Sequence, residues 1–450
     1  MTETVRGIRR FVVALLCLAA FPPASAVAQT GQTAQIPLQF DFLNPGARSL
    51  GLGSAFVAVA DDATSAFTNP AGLTLIPRME ISAEMRYRGL NTPYLAGGRL
   101  SGNVTNQGID TVAGPVYDTS SDSQLRPYFL SFVYPKGRLA VALYRHELVR
   151  QTNSFLSQGP FRQVNFSGTL INDARQLGLA GERDIRVDNY GAAVAYRVSD
   201  QLSVGAGLAL YRFHLASDFG SLGFLPPGSF NAVDPSTRGL SSTTTQAGDQ
   251  TRIGINAGVL VKVSPKVQVG AVVRTGASFD FTQVNTVPGQ PTVTEVGRFR
   301  TPIVIGGGVR LTPTNEWSFA FDVDRVQYSR LKDDYIAFQI DPSNVGTISV
   351  PDGTELHFAA EYTIFSMAKK PSLRFGAWYD PTHSVHYATN NSNSDDDVRL
   401  KAIFPAGENR WHFSFGAGMP LSKDFEINVG ADFTKERRYV STSVIVHLGK

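Results

Sequence analysis

At 450 residues, the chain is long enough for two or three soluble domains or for one large barrel. Its 42 glycines and 29 phenylalanines, with a mean hydropathy of −0.07, suit an outer-membrane barrel, a soluble sandwich or a propeller equally. A single cysteine and a net charge of +3 exclude a disulfide framework and any general attraction to nucleic acid.

The chain opens with Arg6, Arg9 and Arg10 before an apolar run, Phe11–Phe21, followed by Pro22-Pro23 and the small-residue exit Ala26-Val27-Ala28. Basic start, apolar centre and A-x-A exit predict a secretory signal peptide over residues 1–28. A membrane anchor would need about 20 apolar residues, and this run is shorter. Cys17 lies inside the apolar run behind bulky Leu16, which argues against a lipoprotein site, and it leaves with the presequence. The arginines lost with it bring the remaining chain close to neutral.

Residues 29–78 carry GARSLGLGSAFVAVADDATSAFTNPAGL, Gly46–Leu73. Gly51-Leu52-Gly53 lacks both a preceding strand and a third glycine, so it is no dinucleotide fingerprint. Asp61-Asp62 suits the start of a short helix and Asn69-Pro70 a turn that ends one. Small, weakly polar residues ahead of every strand predict a plug packed against the inner wall of a barrel, rather than a mobile tail. Its candidate functional residues are Phe56, Phe67, Asn69, Pro70 and Ala71.

Beyond residue 78 the pattern has a period of two. Leu202, Val204, Ala206, Leu208 and Leu210 alternate with small or polar neighbours. So do Trp317, Phe319, Phe321 and Val323, and Phe425, Ile427, Val429 and Ala431. Strands are expected near 79–88, 127–135, 138–150, 187–198, 201–214, 251–263, 266–281, 298–312, 316–329, 354–364, 372–381, 409–419, 424–434 and 438–449. Tight turns such as Pro135-Lys136-Gly137 and Ser199-Asp200 alternate with long polar loops at 89–126, 151–186, 215–250, 282–297, 330–353 and 382–408. Short connections on one side and long ones on the other are the outer-membrane rhythm. A propeller repeat of about 40–50 residues is absent. The fold class is therefore all-β: a transmembrane antiparallel β-barrel of about fourteen strands over 79–450, with a plug inside. Tyr134, Tyr144, Tyr196, Trp317, Tyr328, Trp411 and Tyr439 near strand ends fit interfacial girdles, and each fits core packing too.

The plug sequence resembles the N-terminal hatch of the FadL/TodX family, outer-membrane transport proteins for long-chain fatty acids and hydrocarbons. Asn69–Leu73, NPAGL, matches the family's Asn-Pro-Ala element before the first strand. YPKGRLAVALYRHEL (Tyr134–Leu148) and AYRVSDQLSVGAGL (Ala195–Leu208) look like its first periplasmic hairpins, and RVQYS (Arg325–Ser329) is similar to one of its strand endings. The resemblance implies a fourteen-stranded barrel of the outer membrane, closed by the hatch. It implies passive uptake of a hydrophobic small molecule: capture among the extracellular loops, passage past the hatch, and lateral exit at a kink in the third strand. It implies no cofactor and no enzymatic step, contact with outer-membrane lipids and lipopolysaccharide, and a monomer. The chain departs from the outer-membrane habit at its end, VIVHLGK, which lacks a terminal aromatic.

On that reading DFGSLGFLPPGSF in the loop 215–250 offers Phe219, Leu222, Phe224, Leu225 and Phe230 as a capture patch, or as a loop core packed on itself. Arg145 and His146 in the third strand are candidates to meet a carboxylate inside, although the alternation of Leu139, Val141 and Leu143 turns Arg145 outward unless a bulge re-aims it. Arg310, Asp322, Asp324, Arg374, Glu426 and Asp432 are expected to pair across the lumen. His383 and His386 near Asp380 have metal-pair spacing without a third defined ligand. Asn390–Asp397 reads as a solvated loop, with a divalent cation at the lipopolysaccharide surface as the alternative. A scaffold barrel that docks a secreted or surface protein is the second functional reading, and a general porin the third.

Overall fold

The structure, a computed structural model, describes residues 40, 42–166, 169–175, 178–223, 225, 228–334, 347–389 and 395–449. The signal-peptide expectation, Phe224 and Asn390–Ser394 lie outside the described residues.

Among the described residues, twenty strands form in chain order. They are β1 (Met79–Arg99), β2 (Gly114–Lys136), β3 (Leu139–Ser157), β4 (Phe161–Phe166), β5 (Thr169–Arg175), β6 (Leu179–Arg197) and β7 (Leu202–Leu222). Next come β8 (Leu240–Ser264), β9 (Val267–Arg274), β10 (Ser278–Thr286), β11 (Val293–Arg300), β12 (Val304–Leu311) and β13 (Trp317–Val326). The last are β14 (Thr347–Ser349), β15 (Gly353–Thr363), β16 (Ser372–Asp380), β17 (His386–Ala388), β18 (Arg410–Pro420), β19 (Phe425–Phe433) and β20 (Arg437–Leu448). β4 and β5 make a hairpin in the second loop region, 151–186, and β14 pairs with β17 in a separate two-stranded sheet. β9 continues into β10 and β11 into β12, so the wall has fourteen antiparallel staves. Pairing of β1 with β20, from Met79↔Leu448 to Leu90↔Arg437, closes it.

The alternation decides which face meets what. On β7, Leu208 and Leu210 are 52% and 47% exposed, whereas their neighbour Ala209 is 4% exposed. Ile253, Ile255, Phe319, Phe413, Phe415 and Val444 continue the same outward apolar band on other staves. Inward positions carry Ser203, Asn256, Asp322, Arg374, Ser414 and Ser441, all buried. An apolar belt around a polar interior is stable only when lipid covers the belt, since water would penalise so large a continuous apolar surface.

Three expectations change. The regions read as long loops at 89–126, 151–186 and 215–250 are largely strand, because β1, β2, β3, β6, β7 and β8 run far above the apolar band. The outward face meets water there instead of lipid, so outward positions such as Ser121, Thr243 and Thr245 are polar, and period two loses its signal. The strands expected to run unbroken over 266–281 and 298–312 are each interrupted, at Thr275–Ala277 and Thr301–Ile303. Tyr134, Tyr196, Trp317 and Trp411 do face outward, but Tyr144, Tyr328 and Tyr439 are buried inside.

Candidate functional site

The segment ahead of β1 fills the lumen. Residues 42–76 fold into α1 (Ala47–Gly51), α2 (Ser65–Thr68) and a 3-10 turn, Pro70–Leu75, and almost every one of them is buried. Asn69 starts the 3-10 turn with Pro70 in its first turn, and its side-chain oxygen accepts from Ala71 N at 3.2 Å. The same amide donates to Val57 O (2.8 Å) and, on the wall, to Val259 O (3.3 Å). Asn69 thus ties plug to plug and plug to barrel.

Wall glycines make room for that backbone. A Cβ on Gly205 of β7 would lie 2.4 Å from Ala71 N, and one on Gly430 of β19 would lie 2.2 Å from Ala47 O. Inward carboxylates then take up plug N–H groups that no helix bond satisfies. Gly46 N donates to Glu84 (2.6 Å), Ala63 N to Glu80 (2.7 Å) and Val57 N to Asp322 (2.7 Å). Gln268 and Asn256 donate to Ala58 O and Ala66 O, and His357 Nδ1 lies 2.7 Å from Gly53 O. A charged relay completes the seat. Arg48 bridges Asp61 (2.5 Å) and Glu361 (2.9 Å), Arg310 reaches Asp61 (2.7 Å), and Arg374 reaches Glu361 (2.7 Å) and Asn428 (2.6 Å).

The charges expected to pair across the lumen therefore mostly serve the plug or its immediate shell. Arg310 and Asp322 hold it directly, Arg374 holds it through Glu361, and Glu426 accepts from Asn428. Asp432 instead gathers His412, Trp378 and Ser414 at the wall.

Above the plug the lumen turns aromatic. Phe67 packs against the His146 ring at 4.5 Å and against Tyr144 at 6.2 Å. Tyr128 meets His146 from another side at 4.9 Å, under the guanidinium of Arg86 at 3.7 Å. His146 is fully buried, and neither ring nitrogen has a hydrogen-bond partner. An imidazole stripped of water in an apolar cage leaves a free donor and a free acceptor, which cost energy until something polar arrives. A second aromatic group, Phe213, Phe279 and Phe299, stacks with centroids 4.8 and 5.4 Å apart, and Phe40 abuts Phe299.

His146 also marks the end of a ladder. β2 and β3 pair from Lys136↔Leu139 to Phe129↔His146 and no further. Above that rung β2 goes on pairing with β1, and β3 with β6, where the register slips between Glu147 and Val149. The seam between β2 and β3 is crossed by side chains instead: Ser154 N donates to Ser120 Oγ at 3.0 Å and Thr152 N to Asp122 at 3.3 Å. Phe67 of the plug sits against the inner foot of this seam.

Phe56 is buried with Leu52, Ala55 and Val59 against Ala320 and Ala359 of the wall, away from the seam, and Pro70 and Ala71 sit under Gly205. Arg145 is corrected. Alternation holds unbroken through His146, so Arg145 faces outward, bonded to Asp188 and to Pro127 O, and lines an external groove of about 670 Å³ with Leu130 and Leu143. The exposed capture patch is also corrected. Phe219 and Leu222 belong to β7, Phe219 stacks on Phe155, Leu222 is buried, and Phe230 stacks on Phe161. Leu225 is part-buried. His383 is tied to Asp380 and stacked on Tyr328, whereas His386 pairs with Ser349, so the two do not converge. Asp395–Asp397 open a short helix, with Asp397 bonded to Lys401.

The tethers Glu80 and Glu84 were readable in principle, since MEISAEMRYR sets them alternately with Ile81, Ala83 and Met85. The seam has no such signal, because a missing ladder is a relation between two strands.

The match to known proteins follows this geometry. The family model described as outer membrane protein transport protein (OMPP1/FadL/TodX) matches residues 164–443. No curated protein matches the chain. Among solved structures, a Pseudomonas aeruginosa FadL homologue is 14% identical, with 91% of this chain and 100% of that chain covered and a TM-score of 0.61. The P. putida toluene transporter TodX is 15% identical over 86% of this chain and 94% of that one, with a TM-score of 0.55. The Ralstonia pickettii toluene transporter TbuX is 16% identical over 91% and 98%, with a TM-score of 0.51. At such identities these structures share the fold.

Proposed function

The chain belongs to the OMPP1/FadL/TodX family of outer-membrane transport proteins, and on that premise we propose that it takes up hydrophobic small molecules through the barrel and releases them sideways into the membrane. The observation that carries the reading is the coincidence of three features at one height: the aromatic cage around His146, Phe67 of the plug, and the point where the β2–β3 ladder stops.

An apolar solute gains from leaving water for an aromatic-lined lumen, at roughly 25 cal/mol per Å² of apolar surface buried. A water-filled lumen offers it no such gain, so a plugged barrel with a side exit suits it better than an open pore. Phe67 holds its place by ring contacts, worth about 0.5–1.5 kcal/mol each beyond burial, and these are exchangeable for contacts with a solute. The unpartnered imidazole of His146 gives an amphiphilic solute one place for its polar end. Displacement of the Phe67 segment then frees the way to the seam, where side-chain links part at less cost than a backbone ladder. The solute class is apolar or amphiphilic, with fatty acids and aromatic hydrocarbons as the first compounds to try.

The test is a lock on the seam. Ser120→Cys with Ser154→Cys, oxidised, ties β2 to β3 where Ser120 Oγ already meets Ser154 N. Uptake of a radiolabelled hydrocarbon or fatty acid by cells carrying the oxidised protein should fall severalfold and recover on reduction. Equal uptake by the oxidised and reduced forms would remove the seam from the pathway.

A further inference from the structure

The wall is interrupted a second time, a third of the way round the barrel. β8 pairs with β9 up to Asn256↔Arg274 and with β10 from Ala247↔Thr282 upward. Between those rungs, residues 248–254 of β8 have no ladder on that side. The neighbouring pair breaks at the same height: β9–β12 ends at Arg274↔Val304 and β10–β11 begins at Ser278↔Arg300. The two linking tripeptides, Thr275-Gly276-Ala277 and Thr301-Pro302-Ile303, are bonded to each other. Thr301 N donates to Ala277 O at 2.9 Å and Ala277 N to Thr301 Oγ1 at 2.8 Å. β10 and β11 are therefore one ribbon standing on a pair of adjacent hinges.

Eight residues of β9 at about 3.3 Å each, tilted roughly 40°, put the hinges about 20 Å above the periplasmic turn. That is near the outer edge of an apolar band about 25 Å tall. Unpaired backbone at such a depth must be satisfied by something other than lipid. Here β8 side chains do it: Gln250 accepts from Asp280 N at 2.8 Å, and Arg252 reaches the Asp280 carboxylate at 3.2 Å. Arg252 stands opposite Tyr211 in the β7–β8 register, and Tyr211 faces the lumen. Asp280 stands opposite Arg298, on the ribbon's outward face, and is bonded to it at 2.8 Å. The guanidinium thus passes from the lumen side of β8 to the outer side of β10, through the interruption.

The ribbon's inner face carries Phe279, Phe281 and Phe299, packed on Phe213 of β7. Gly248 lets that packing close in, since a Cβ there would lie 2.8 Å from Phe281 Cβ. What covers the opening is consequently an aromatic surface, held shut beside it by the links to Asp280 and above it by the β8–β10 ladder from Ala247↔Thr282 to Thr243↔Thr286.

We propose that the β10–β11 ribbon is a hinged side door, latched on Asp280, that admits or releases a flat apolar solute between β8 and β10, apart from the β2–β3 seam. The inference rests on the uptake reading above for its solute, and on the wall geometry for its motion. Spin labels on Ile253 of β8 and Val296 of β11, both outward-facing, read the motion in reconstituted protein. The distance distribution should show a longer population that grows in Asp280→Ala. One narrow distance, identical in both proteins, would overturn the door. The solute arm uses Arg252→Cys with Asp280→Cys, joined by a short bis-maleimide, in the seam-locked protein. Uptake that survives the seam lock should be lost on joining the pair, and uptake indifferent to the joint would overturn the door's role in passage. If the protein with both openings free takes up nothing, the uptake reading fails, and the labels still decide whether the ribbon moves.

Discussion

Asn69→Ala should loosen the plug while leaving the barrel standing. The side chain makes three hydrogen bonds, to Val57 O, to Val259 O and from Ala71 N, in a site with no access to water. At about 1 kcal/mol net for each, the substitution removes about 3 kcal/mol from the seating of the plug. Local opening then becomes roughly a hundredfold more frequent. Hydrogen exchange followed by mass spectrometry in lipid nanodiscs reads this directly. The amides of Val57, Ala60, Ala63 and Thr68, bonded in the plug or to the wall, should exchange about a hundredfold faster. Amides of β13 and β15, which do not touch Asn69, provide the internal reference and should not change. Unchanged plug exchange in a folded variant would refute the tether, and equal acceleration of plug and wall would mean that Asn69 supports the whole barrel.

Two further outcomes follow from the same geometry. Gly205→Val drives a side chain into Ala71 N and Pro70, an overpacking cost of about 1–3 kcal/mol, and should raise ion conductance in planar bilayers. Gly97→Ala, with open space around its Cβ, should leave conductance at the wild-type level. In the outer loop, burial pushes the Asp110 carboxyl up, but bonds from Arg99 (2.8 Å) and Thr105 (2.7 Å) outweigh it and hold it below the ordinary aspartate value. A depressed carboxyl stabilises fully above its unfolded pKa of about 4 and loses that contribution as pH falls through the folded value. Pepsin should therefore cut residues 101–113 only in strong acid, and Asp110→Asn should abolish that pH step; cleavage that ignores pH in the wild type would remove the Arg99–Asp110 clamp as the cause.

Much of the barrel was legible because lipid and lumen impose opposite demands on successive residues. Leu208 against Ala209, or Phe413 against Ser414, is a signal that needs no partner strand to read. The signal stopped where the membrane stopped, so the polar upper halves of β1, β2, β7 and β8 passed for loops. NPAGL pointed to the plug because Asn69 and Pro70 have local work to do at the start of a 3-10 turn. His146 was legible for the same reason as its neighbour Arg145 was doubtful: one is even and the other odd on an unbroken strand. The capture patch misled because Phe219, Leu222 and Phe230 advertise apolar surface in sequence and spend it on Phe155, Phe161 and the strand above the membrane. The seam and the hinges were invisible for a different reason. Each is a place where two strands decline to pair, and neither strand's own sequence records it.

The most direct measurement is native mass spectrometry of the protein purified from outer membranes in a detergent that cannot imitate a fatty acid. An apolar or amphiphilic ligand should ride with the barrel at one per chain, and Phe67→Asp, which puts a charge into the cage beside His146, should lose it. A barrel that emerges empty after exposure to fatty acids and hydrocarbons, or that carries a protein instead, would contradict uptake and favour a docking scaffold.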